Sequence, residues 1–159
     1  MLTNRGSRIA RWPFCIGILV FAVGASLFGQ PSATGPSIRW STNLDEAFRM
    51  AKLLDKPLLV EFMAEWCPSC RAMEDTTFRA PAVVDRSDRF VAVRIDVDKQ
   101  KDTATRYKSN ARKYGGIGIP NFLFLDKDGE KIAHLVGYMD AGRFAAVLDS
   151  VLALPVSAR

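Results

Sequence analysis

Between Thr42 and Leu54 the apolar residues Leu44, Ala47, Phe48, Ala51 and Leu54 recur at helical spacing, with Thr42 or Asn43 placed to cap the start. Lys56-Pro57 ends that helix, and the run Leu58 to Ala64 (LLVEFMA) has the length and apolarity of a strand covered on both faces. Its single charge, Glu61, is out of keeping with that environment and needs a reason. Ser69 to Phe78 suits a second helix with Pro68 at its first position, where a missing N–H costs nothing. Phe90 to Asp96 (FVAVRID) alternates as a strand, and Lys99 to Tyr114 is polar and helical in part, closed by Gly115-Gly116. Asn121 to Leu125 is a further apolar strand, turned back by DKDG at Asp126 to Gly129 into Glu130 to Val136 as a hairpin. Asp140 then caps a helix whose Phe144, Val147, Leu148, Val151 and Leu152 share one face. The order helix, strand, helix, strand, helix, strand, strand, helix predicts an α/β fold, a mixed sheet with helices on both faces.

That layout puts Cys67-Pro-Ser-Cys70 at a strand-to-helix junction, with Cys67 at the helix N-terminus and Cys70 one turn in. Exposed N–H groups and the helix dipole favour a thiolate there, so Cys67 is the expected nucleophile and Cys70 the resolving thiol of a mixed disulfide. A closed zinc site needs four ligands. Beside the pair the domain offers one histidine, His134, which reads as a strand residue and not a ligand, so no metal is expected. A purely structural disulfide closing so short a loop would constrain little chain entropy.

Charge changes the picture mainly at the N-terminus. The formal net charge is +5, but Arg5, Arg8 and Arg11 precede the first acid, Asp45, and without them 19 basic residues face 17 acidic ones. No basic stripe with interleaved aromatics remains, which argues against nucleic-acid binding. The three arginines lead into the uncharged apolar run Phe14 to Phe28, containing Cys15 as a small hydrophobe, and then a Gln/Pro/Ser/Gly-rich stretch. This is the order of a secretory signal or an N-terminal membrane anchor. We therefore expect a signal or anchor over residues 1–30, a linker over 31–37, one domain over 38–154 and a tail over 155–159.

AEWCPSC, with GIP at Gly118 to Pro120 and VGYMD near Gly137, resembles the thioredoxin superfamily. KPLLVEFMAEWCPSCRAMEDTTFRAPAVV and GYMDAGRF are most similar to the C-terminal periplasmic domain of the transmembrane thiol:disulfide reductase DsbD and its free-standing relatives. The resemblance covers Ile38 to Leu154 and implies a thioredoxin fold with a central sheet of about four to five strands. It implies that Glu61 is a buried acid/base serving Cys70, that Glu74 tunes the cysteine pKa values, and that Pro120 is cis. Ile119 and Pro120 would lie beside the cysteines, where the Ile119 backbone pairs with an extended substrate strand, and Trp66 and Pro68 would border that surface. No cofactor is expected beyond the Cys67/Cys70 pair.

Strong oxidants stabilise their reduced thiolate, often through a histidine between the cysteines. Pro-Ser supplies no such group, while Glu61 and Glu74 disfavour the thiolate, so the expected direction is reduction of protein disulfides. In the bacterial periplasm, or on the outer face of the cytoplasmic membrane, such a reductase needs an electron donor, and a membrane reductase is the expected partner. A monomer is expected. Two other readings stay open: a redox-inactive peptide-binding module or dedicated thiol chaperone for cytochrome or metal-centre assembly, and a disulfide oxidase or isomerase.

Overall fold

The first helix, α1 (Leu44–Leu54), begins where the Asn43 side chain accepts the backbone N–H of Glu46 at 3.0 Å, and ends at Asp55, which takes the left-handed conformation at φ 53°. Of the two candidate caps, Asn43 is the one used. The computed structural model describes residues 35–109 and 118–154. The signal or anchor segment with Cys15, most of the linker, the end of the Lys99–Tyr114 stretch with Gly115-Gly116, and the tail lie outside the described residues.

Four strands form one mixed sheet in the order β2-β1-β3-β4: β1 (Leu58–Met63), β2 (Val91–Asp96), β3 (Asn121–Leu125) and β4 (Lys131–Val136). β1 pairs parallel with β2 and antiparallel with β3, so it is interior. A parallel pair needs a long crossover. Here it runs through α2 (Pro68–Asp75), a 3₁₀ turn (Thr77–Arg79) and α3 (Pro81–Ser87). Outside β2, Ser41 makes a single parallel bridge to Val93, a rudiment of a fifth strand. α4 (Lys101–Ser109) follows β2, and α5 (Ala141–Leu152) closes the domain behind the Asp140 cap.

Strand alternation sends side chains to two cores. Leu58, Val60 and Phe62 of β1 meet Leu44, Ala47 and Ala51 of α1 on one face. Leu59 points to the other, into Met73, Phe78, Val83, Phe122, Phe124, Phe144 and Leu148. Glu61 shares that second face, which explains its burial at 1% exposure. Gly137, at φ +96°, carries the chain from β4 towards α5 and donates its N–H to the Pro120 carbonyl at 2.8 Å.

The single helix expected over Ser69 to Phe78 is corrected. The α-helix stops at Asp75, and Thr77 anchors the following turn by donating its hydroxyl to the Met139 carbonyl at 2.7 Å, which draws Phe78 into the core. The short α3 that follows is an addition to the elements expected from the pattern.

Candidate active site

The site lies at the carboxyl ends of the parallel strands, where the chain leaves β1 for α2. Cys67 is the N-cap of α2 and Pro68 its first residue. The Cys67 sulfur accepts the Cys70 N–H at 3.2 Å, so a backbone donor faces the sulfur where thiolate charge would develop on reduction. Cys67 and Cys70 are joined as a disulfide, with Cα atoms 5.3 Å apart, inside the range that one helical turn accommodates. Both are buried, at 3% and 2% exposure, and pack with Ala64, Met63, Val97 and Ile119.

Two loops hold this corner. Val97 donates its N–H to the Met63 carbonyl at 2.9 Å, and the Asp96 carboxylate accepts the N–H groups of Asp98 and Lys99. Asp98 in turn accepts the Trp66 indole N–H at 2.6 Å, fixing a ring that is 63% exposed beside Cys67. The Ile119–Pro120 peptide is cis, and Ile119 packs against the cysteine cluster. The structure thus gathers Trp66, Pro68 and Ile119 around the cysteines, with Pro120 leading into β3.

Behind them sits a charged group inside the aromatic core. Glu61 is paired through its Oε2 with Arg94 Nε at 2.6 Å, and Arg94 Nη2 reaches Glu74 Oε2 at 2.6 Å. The guanidinium lies 4.6 Å from the Trp40 ring centre and 5.6 Å from that of Phe78. Burial pushes the Glu61 carboxyl up from 4.5 to about 7, against the opposing pull of Arg94 and with a smaller upward push from Glu74. An acid in that range can accept or release a proton at neutral pH, which suits it to general acid–base work. Glu74 stands four residues after Cys70 on α2, about one turn or roughly 6 Å along the axis, and Arg94 links it to Glu61.

Arg94 and Asp98 were not singled out from the sequence. In FVAVRID the arginine reads as the polar alternate of a strand, and only the parallel pairing of β1 and β2, which sets Glu61 beside Arg94, reveals its partner. His134 bonds through Nε2 to Asn121 Oδ1 at 2.8 Å, and burial lowers its pKa. Among the described residues no group of three or more His, Cys, Asp or Glu is placed to hold a metal ion, and no helix is long and apolar enough to cross a membrane.

Comparisons with known proteins agree with this geometry. The family profile described as a thioredoxin-like domain matches residues 44–152. The thiol:disulfide interchange protein DsbD of Cronobacter sakazakii is 32% identical over 136 residues, covering 79% of this chain but only 22% of that longer protein. The solution structure of a thioredoxin from Thermus thermophilus superposes with a TM-score of 0.61 at 28% identity, covering 74% of this chain and 88% of that one. The oxidised C-terminal domain of Neisseria meningitidis DsbD gives 0.56 at 26% identity, covering 70% of this chain and 98% of the domain. With its bridged cysteine pair at the head of α2 and a family match across the domain, the chain belongs to the thioredoxin superfamily and is similar to the C-terminal domain of DsbD.

Proposed function

We propose that this chain is an exported protein-disulfide reductase working by dithiol–disulfide exchange through Cys67 and Cys70. The observation that carries the reading is the conjunction of a helix-capping Cys67, bridged to Cys70, with a buried Glu61 whose carboxyl titrates near neutrality. In the reduced chain, Cys67 thiolate attacks a substrate disulfide. One substrate sulfur leaves as thiolate and a mixed disulfide forms. Glu61 carboxylate accepts the Cys70 proton, and Cys70 thiolate attacks the Cys67 sulfur. The Cys67–Cys70 bond forms as the second substrate thiolate departs. Two electrons pass to the substrate, and the chain ends in the bridged state seen here. Resetting it requires a dithiol donor, for which a membrane reductase is the natural class.

An extended segment of the substrate would lie along the Ile119 backbone, flanked by Trp66 and Pro68. Export rests on Arg5, Arg8 and Arg11 ahead of the apolar run Phe14 to Phe28, and it would place the domain in the periplasm or on the outer face of the cytoplasmic membrane. The direction of transfer is supported by the acids, which oppose a thiolate, and by the absence of a cation between the cysteines. Insulin reduction with a dithiol donor tests the reading: the wild-type chain should turn over, Cys67→Ser should not, and Cys70→Ser should accumulate a mixed disulfide. Turnover that survives Cys67→Ser, or none in the wild-type chain, would refute it.

A further inference from the structure

The large apolar side chains left at the surface of the domain fall at two opposite ends of the strands. Trp66, Val136 and Tyr138 belong to the end that carries the cysteines: Trp66 precedes Cys67, Val136 pairs with Asn121, and Gly137 between Val136 and Tyr138 bonds the Pro120 carbonyl. Leu53, Leu54 and Leu154 are 76%, 47% and 38% exposed, and they lie at the other end, where α1 and α5 finish and β1 and β2 begin. Two hollows of about 330 and 310 Å³ open there and share Leu54, Lys56 and Asp88. β1 and β2 are six residues each, so this end stands roughly 20 Å from the cysteines, and the leucines take no part in the exchange reaction. The charges beside them do not balance. Arg39 is paired with Asp88, Lys127 with Asp55 and Lys52 with Asp128. Lys56 donates to the Asp88 carbonyl at 2.7 Å, and neither it nor Arg89 has an ion-pair partner among the described residues. Asp126 and Glu130, in the hairpin turn after β3, lie two strands over from Arg89.

We propose that this end is a docking face for an anionic phospholipid surface, with Leu53, Leu54 and Leu154 entering the headgroup region while Lys56 and Arg89 meet lipid phosphates. Exposed apolar side chains flanked by unneutralised cations are the combination that interfacial binding uses. A second copy of the chain fits less well, because three part-exposed leucines fall well short of the about 800 Å² that each partner of a stable dimer buries. The chain itself points to a bilayer. Ile38 and Arg39 line one of the hollows, and only residues 31–37 separate them from the segment over 1–30, whose pattern is that of a signal or anchor. Those linker residues reach at most about 25 Å when fully extended. The proposal rests on that segment being kept as an anchor. Weak contacts then suffice, because a short tether holds the face near the lipid at an effective concentration in the mM range. Docked in this way, the domain turns its cysteines away from the bilayer, towards exchange partners in solution or on domains that stand off the membrane.

The test uses the full oxidised chain in nanodiscs of phosphatidylethanolamine and phosphatidylglycerol, with ¹³C-labelled leucine methyls, ¹⁵N-labelled indoles and a small share of lipid carrying a headgroup nitroxide. The methyl signals of Leu53, Leu54 and Leu154 should broaden while the Trp66 indole stays sharp. Lys56→Gln and Arg89→Gln should each lower the docked-to-free ratio about fivefold on these discs, and change little on phosphatidylcholine discs. Leu53→Gln with Leu54→Gln should lower it about tenfold, read at Leu154. Insulin reduction should be unchanged in all of these variants. Broadening spread evenly over the domain, or centred on Trp66, would overturn the docking face, as would a Leu154 signal that ignores the substitutions. Leucine methyls that become shielded with rising protein concentration in detergent, without discs, would assign the face to a second copy instead. A chain that does not stay with the discs would overturn the anchor and the docking together, whereas its insulin turnover, measured separately, decides the reductase reading.

Discussion

Replacing Glu61 by glutamine should make the domain's stability respond differently to pH, and the size of the effect follows from the burial of the carboxyl. Its folded-state pKa of about 7 lies above the ordinary 4.5, so between those values the folded chain binds more protons than the unfolded one. Below 4.5 both states hold the proton and Glu61 costs nothing through ionisation. As pH rises towards 7 the unfolded chain ionises first, and stability falls. Above 7 the loss is complete. The interval from 4.5 to about 7, at about 1.4 kcal/mol per pH unit, amounts to about 3 kcal/mol. Glu61→Gln removes this dependence while keeping the shape of the side chain. Urea unfolding of the oxidised wild type and variant should therefore show the stability difference moving by about 3 kcal/mol in the variant's favour between pH 4 and pH 8. The disulfide keeps the cysteines from titrating in this measurement. Parallel stability curves across that range would refute the claim that burial perturbs Glu61.

Three further substitutions probe the scaffold. Asn43→Ala removes the acceptor of the Glu46 N–H at the start of α1 and should cost about 1 kcal/mol in thermal or urea unfolding, with Asn43→Ser recovering most of it. Phe78→Ala empties a fully buried site packed edge-on against Trp40, Phe122 and Phe144, and should cost about 3–5 kcal/mol by urea unfolding. A double-mutant cycle of Trp66→Phe and Asp98→Ala should give a coupling of about 1 kcal/mol in stability if the indole–carboxylate bond holds the two loops together, whereas additive losses would deny it.

The elements with long or uniform hydrophobic patterns were legible in the sequence. α1 and α5 carry full apolar faces and side-chain caps, and β1 and β3 are almost wholly apolar because both faces of the sheet are covered. α3 escaped because its seven residues bury only Val83 and Ser87, too little for a period to register, although Pro81 at its first position was a usable signal. The break between α2 and the 3₁₀ turn depends on the Thr77 bond to Met139, 62 residues away, which no local pattern encodes. The same reason separates what was readable at the site from what was not. Cys67, Cys70 and Pro68 sit together in one short stretch, and Glu61 declared itself as a charge in an apolar strand. Arg94 is an ordinary polar alternate until β1 and β2 align, and Asp98 becomes a partner of Trp66 only when the two loops meet.

The central claim is that the Cys67–Cys70 pair donates electrons to protein disulfides, and its reduction potential tests that claim most directly. Equilibration of the full chain with a glutathione or dithiothreitol series, read by thiol alkylation, should give a potential near the thioredoxin value of about −270 mV. A value near about −120 mV, that of a strong oxidant whose reduced form is the stabilised one, would contradict it.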